Sequence, residues 1–113
     1  MTGRIRDTAI RIKLQEMRES VDMAREHLPD SIDLFEHLGI VKDGIYKRIE
    51  YAIGNVFDIC AILNADLRLG VPGADEDILE SLVQNSVLSP GMRQNLKAMR
   101  GFRNIVVHRC GAI

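Results

Sequence analysis

The sequence is short of most features that mark a secreted, membrane-embedded or metal-held protein. It has two cysteines, Cys60 and Cys110, with no CxxC pair, which excludes a disulfide framework and a zinc knuckle. Each reads as a small buried or half-buried apolar residue. No apolar run approaches the roughly 20 residues needed to span a bilayer. No charged start followed by an apolar stretch marks a signal peptide, so no membrane association is expected and the cytoplasm is the expected location. No His/Asp/Glu cluster at ligand spacing includes His27, His37 or His108, and neither a metal nor another cofactor is expected. Alternating apolar and polar runs bounded by turns are also missing, which argues against strands.

What is present is 113 residues, 46% hydrophobic and 27% charged, the composition of one soluble globular domain covering residues 1–113. The length excludes a multidomain enzyme and an eight-stranded α/β barrel of about 250 residues. A domain this small buries only about two-thirds of the surface its unfolded chain exposes, so self-association is expected.

The formal net charge of −1 conceals a division. All sixteen Asp and Glu lie in the first 80 residues, against ten Lys and Arg, for −6. Beyond Glu80, Arg93, Lys97, Arg100, Arg103 and Arg109 supply +5. Such asymmetry marks either a local anion-binding surface or a solvated basic helix face.

Hydrophobic spacing predicts helix nearly throughout. Ile10, Leu14, Met17, Val21, Ala24 and Leu28 form one apolar seam that Pro29 ends. Ser31 caps a short turn carrying Ile32, Phe35 and Leu38, closed by Gly39. A second long helix starts near Asp43 with Ile45, Ile49, Ile53, Val56, Cys60, Leu63 and Leu67 as its stripe. Gly70, Pro72 and Gly73 break it. Asp75 to Asp77 open a shorter helix with Ile78, Leu79, Leu82 and Val83 inward. Ser89 and Pro90 start the last one, which runs to about Cys110. The expected fold is all-α, an antiparallel up-and-down bundle of four to five helices.

On the last helix, Met92, Leu96, Met99, Phe102, Val106 and Cys110 share an arc that should face the core. Arg93, Lys97, Arg100, Asn104 and His108 share a second arc. Arg103 falls on the flank of the apolar arc, where an arginine needs a carboxylate partner such as Asp58 or Glu50, or a path outward along the bundle edge. His108 alone reads equally as a helix-terminal histidine, because a C-terminal turn favours the protonated ring.

The string Gly101-Phe102-Arg103-Asn104-Ile105-Val106-Val107-His108 resembles the Arg, four to six residues, His motif of HEPN domains, and more closely the HepT family. The likeness extends to Lys47-Arg48-Ile49-Glu50-Tyr51-Ala52-Ile53 with Asn55 and Asp58, to Leu69-Gly70-Val71-Pro72, and to Ile78 through Leu82. The resemblance implies a helical bundle that forms a homodimer, bringing Arg103, Asn104 and His108 of both protomers to a shared cleft. It also implies a metal-independent toxin ribonuclease acting on RNA, tRNA among the candidates, held in check by a minimal nucleotidyltransferase antitoxin.

In that reading His108 moves the proton of a ribose 2′-hydroxyl or of the leaving oxygen. Arg103 holds the phosphate, and Asn104 orients the substrate or the imidazole. Arg93, Lys97 and Arg100 hold neighbouring phosphates. The family motif continues to a tyrosine two residues after the histidine, the position the partner modifies with AMP. Cys110 stands there in this chain, and a thiol is no ordinary substitute for a phenol. Family members usually continue into another helix beyond the position of Ile113, and without it apolar surface is expected to lie open. The alternative is a non-catalytic helical subunit that binds nucleotide or RNA, or scaffolds a nucleotidyltransferase.

Overall fold

The computed structural model describes the backbone of residues 5–111 and the side chains of residues 5–105. The described residues form five helices and no strand: α1 (Asp7–His27), α2 (Ile32–Glu36), α3 (Ile40–Asp66), α4 (Asp75–Gln84) and α5 (Pro90–Gly111). His108 and Cys110 hold backbone positions on α5, and their side chains lie outside the described residues.

Local chemistry sets most of the boundaries. The Ser31 hydroxyl accepts from the Leu34 N–H at 3.1 Å and starts α2. The Ser89 hydroxyl accepts from the Met92 N–H at 3.0 Å and starts α5, with Pro90 in the first helical position where no N–H is needed. The Asp77 carboxylate accepts from the Gly73 and Ala74 N–H groups at 3.0 and 3.1 Å, tying down the entry to α4. Helix α3 starts at Ile40, three residues earlier than the apolar spacing suggests. Ile40 and Val41 are exposed and carry no burial signal, while Gly39 at φ +63° reverses the chain directly into the helix.

Helices α3 and α4 end alike. Arg68 N–H reaches Ala65 O and Leu69 N–H reaches Asn64 O, at 3.1 and 3.0 Å. Ser86 N–H reaches Val83 O and Val87 N–H reaches Leu82 O, at 3.1 and 2.8 Å. Both are Schellman closures whose left-handed position usually takes glycine. Here Arg68 (φ 56°) and Ser86 (φ 61°) occupy it.

Helix α3 is the axis of the fold, packing against α1, α4 and α5. Its Ile53, Phe57 and Cys60 join Ile78, Leu79 and Leu82 of α4 and Leu96 of α5 in one core cluster, with Leu79 and Leu82 fully buried. Burial pushes the Cys60 thiol up to about 11, with Asp75 adding a smaller push, so it is a neutral packing residue near pH 7. The start of α1 is fastened to the end of α3: the Arg6 N–H and guanidinium both bond Asp66, at 2.8 and 2.9 Å. The Arg6 hydrogen bonds hold the Asp66 carboxyl below its usual range. A T-shaped contact between Phe35 and Tyr46, ring centroids 5.5 Å apart, anchors α2 on α3.

Two expected apolar faces are only partly buried. On α1, Ala24 is buried and Leu14, Val21 and Leu28 are exposed. On α5, Leu96 is buried and Met99 half-buried, while Met92 and Phe102 are 45% and 40% exposed. The arc of α5 therefore does not face the core along its length. For Val21, Leu28 and Phe102 the cause is shared: α1 and α5 both lean on α3, leaving a groove of about 520 Å³ between them with these residues and Ile53 in its walls.

Replacing Arg68 by glycine should relieve the left-handed strain and stabilise the fold by about 1 kcal/mol. Thermal unfolding checks this, with a rise of roughly 4 °C or more expected for a domain of this size.

Candidate functional site

The basic residues of α5 divide according to what α4 and α3 place opposite them. Helix α4 opens with Asp75 and Glu76 and carries Glu80 one turn on. Arg93 pairs with Glu80. Arg100 lies 3.9 Å from Asp75 and 3.6 Å from Glu76. Both arginines thus carry their own counter-charges, and a phosphate must compete with carboxylates to reach them. Lys97 and Asn104 are exposed, and no ion pair joins Lys97 to a carboxylate among the described residues. Of the three residues expected to hold neighbouring phosphates, Lys97 is the one with no ion pair among the described residues.

Arg103 behaves differently. It is half-buried and reaches a small polar pocket of about 170 Å³ on α3, lined by Lys47, Glu50, Tyr51, Gly54, Asn55 and Asp58. Those six recur at helical spacing, a polar stripe beside the apolar one, which is why consecutive residues of α5 face different surroundings. Phe102 meets the apolar groove and Arg103 the polar pocket.

The carboxylates expected as partners of Arg103 do line this pocket, but neither forms an ion pair with it. Lys47 lies 3.7 Å from Glu50. Lys13 of α1 bonds Asp58 at 3.1 Å. The Tyr51 hydroxyl donates to Glu16 of α1 at 2.7 Å, and that hydrogen bond, which only the protonated phenol can give, raises the phenol above its ordinary range, with burial and the nearby carboxylate charge adding to it. Asn55 is buried, and its Nδ2 has no hydrogen-bond partner. The outcome is a guanidinium and a buried amide donor left unmatched in one small pocket.

Arg103, Asn104 and the backbone position of His108 lie on the same two turns of α5. His108 and Cys110 are otherwise outside the described side chains. The histidines described are helix-end residues: His27 Nδ1 meets Met23 O at 2.8 Å, and His37 Nδ1 meets Asp33 O at 2.7 Å. Among the described residues no group of three or more His, Cys, Asp or Glu is placed to hold a metal ion, and no helix is long and apolar enough to cross a membrane. Lys47, Tyr51 and Asn55 carry the family likeness in the sequence but received no site role from it, and the structure sets them around Arg103. Their signal was the i, i+4 polar stripe on a helix otherwise read for its apolar face.

Comparison with known proteins adds to this geometry. The model of a family described as ribonuclease HepT-like matches residues 17–113. The mRNA nuclease HepT of Shewanella oneidensis is 31% identical over 68 residues, 60% of this chain and 51% of that protein. The chain thus spans about half the length of this curated relative. A crystal structure of a toxin-antitoxin with AMP-PNP superposes with a TM-score of 0.81 at 25% identity, covering 89% of this chain and 76% of the other. A mutant form of the toxin-antitoxin MntA-HpeT matches with the same score and identity, over 88% and 77% of the two chains.

The bond from Tyr51 to Glu16 makes one titration distinctive. In an ultraviolet pH titration of the two tyrosines, one phenol should ionise above the ordinary tyrosine range. Glu16→Gln should bring that step down, because it removes the carboxylate that accepts the phenol's hydrogen bond and repels the phenolate. An unchanged titration would contradict the contact.

Proposed function

The chain belongs to the HepT-like ribonuclease family, and from that premise we propose that it is the toxin of a toxin-antitoxin module, a metal-independent endoribonuclease. The observation that carries the proposal is Arg103, a half-buried guanidinium without a carboxylate in ion-pair reach among the described residues, set in a pocket at the α3–α5 seam. A cation left unmatched in such a place is suited to an anion from outside.

The reaction follows from the residue types. The ribose 2′-hydroxyl attacks the neighbouring phosphorus, the 5′-oxygen leaves, and a 2′,3′-cyclic phosphate remains. His108 takes the 2′ proton or returns one to the leaving oxygen, the exchange for which imidazole is the usual side chain near neutral pH. Arg103 binds the phosphate and offsets the charge that builds on its oxygens. Asn104 orients the substrate or the ring. The nucleophile comes from the RNA itself, so the step needs no metal-bound water. Lys97 guides the flanking strand, with Arg93 and Arg100 contributing once their α4 carboxylates are displaced.

A homodimer belongs to the same proposal. Five residues along an α-helix rotate by about 500°, so positions 103 and 108 of one α5 point about 140° apart. A two-fold partner supplies the missing half of each site. The open apolar groove between α1 and α5 supports association, since a contiguous apolar surface of this kind on a small domain marks an interaction site. The MntA-HpeT structures support a nucleotidyltransferase antitoxin as the second partner. Cys110 in the tyrosine position argues that AMP transfer to that residue is not the means of control.

Purified protein incubated with total RNA should cleave it in the presence of EDTA. His108→Ala or Arg103→Ala should lower kcat by about 100-fold or more. Full activity in either variant would remove the catalytic assignment. Binding without cleavage by the parent protein would favour a non-catalytic RNA-binding subunit.

A further inference from the structure

We propose that Asn55 of α3 is a substrate-contacting residue, donating from Nδ2 to a phosphodiester oxygen that Arg103 also holds. This extends the ribonuclease reading by giving its phosphate site a second wall on a different helix.

The argument starts from unmet hydrogen-bonding capacity. Two buried side-chain atoms among those described lack a partner, Asn55 Nδ2 and Asn64 Oδ1. Asn64 has a structural task that explains its burial: its Nδ2 donates to Gly70 O at 3.0 Å and ties the end of α3 to the following loop. Asn55 has no such bond. It is 3% exposed, in the middle of α3. Buried amides in native proteins are nearly always satisfied, and an apolar residue of similar size would fit such a position at less cost.

The surroundings say what would satisfy it. Every carboxylate lining the pocket is already answered, Glu50 by Lys47 and Asp58 by Lys13. Glu16, just behind, accepts from Tyr51. The groups left over are the Arg103 guanidinium and the Asn55 amide, and both are donors. Two convergent donors, one of them cationic, call for an acceptor that is itself an anion. A phosphodiester has two non-bridging oxygens to give, one to each. An amine-bearing ligand would bring a charge of the wrong sign; a carboxylate could also answer both donors, and the ribonuclease reading is what selects the phosphodiester.

Access is provided by Tyr51. Tyr51 is 47% exposed, its hydroxyl donates to Glu16, and the Asn55 amide lies near enough to the phenol to oppose slightly the rise in its pKa. The phenol can swing aside more cheaply than any backbone can move, uncovering Nδ2 as the oxygen arrives.

The proposal separates stability from binding, which a packing role would not do. Asn55→Leu removes an unmet buried donor, so its melting temperature should equal or exceed that of the parent protein. Its affinity for a 2′-O-methyl RNA oligonucleotide, which cannot be cleaved, should fall about tenfold or more, the usual cost of losing a hydrogen bond to a charged group. On the parent protein, the Asn55 side-chain amide resonances should shift as that oligonucleotide is titrated, a reading independent of how the variant folds. Undiminished affinity in the leucine variant, or amide resonances unmoved at saturation, overturns the proposal. So does failure of the parent protein to bind the oligonucleotide. Cleavage of unmodified RNA is scored separately. If the amide shifts and nothing is cut, the pocket stands and the ribonuclease reading falls. If RNA is cut and the amide is silent, the reverse holds.

Discussion

Everything in this fold leans on the burial of one helix. Helix α3 packs against α1, α4 and α5, and its Ile53, Phe57 and Cys60 form the base on which Leu79, Leu82 and Leu96 close. Leu79 and Leu82 are wholly out of water. At about 25 cal/mol per Å² of apolar surface removed from water, this cluster is the main favourable term available to so small a domain. The capped helix ends and the ion pairs arrange elements that the cluster already holds. The Arg6 clamp on Asp66 sets where α1 begins along α3 and adds little burial of its own.

A helix contacted on several sides cannot have a simple amphipathic pattern, and from that comes the functional geometry. One side of α3 offers Ile49, Ala52, Ile53 and Val56 to the groove. The adjoining side offers Lys47, Tyr51, Asn55 and Asp58 to the polar pocket. Helix α5 crosses the boundary between them, so Phe102 and Arg103 are sent to opposite environments by a single step of about 100°. The apolar groove and the polar pocket therefore share a seam, so that on the proposed function a partner covering the first would come within reach of the second.

Much of this was legible in the residue order because it is local. The Ser31 and Ser89 caps, the Pro90 start and the inward face of α4 depend on neighbours within a turn or two, and the structure has all of them. Arg103 was legible as an oddity from its angle alone. What the order of residues could not reveal depends on which helices touch. The seam of α1 and the arc of α5 looked like core faces, yet Leu14, Leu28, Met92 and Phe102 are exposed, because an apolar stripe does not say whether a neighbour covers it. Asn55 was visible as part of the family likeness, but its burial was not, because burial of a polar residue depends on which helices close over it. The pairing of Arg93 and Arg100 with α4 likewise requires the two helices to lie alongside each other.

That pairing changes what the basic end of the chain means in solution. A cation facing only water gathers loosely held counterions and gives them up when a polyanion arrives, which makes binding fall steeply as salt is added. Arg93 and Arg100 keep fixed counterions in Glu80, Asp75 and Glu76, so they have few mobile ones to release. If the chain binds RNA as proposed, Arg93 and Arg100 would therefore add less to the salt response than the formal charge beyond Glu80 implies. On that proposal helix α4 is a resident competitor for the strand, its carboxylates already seated on two of the arginines a phosphate would seek.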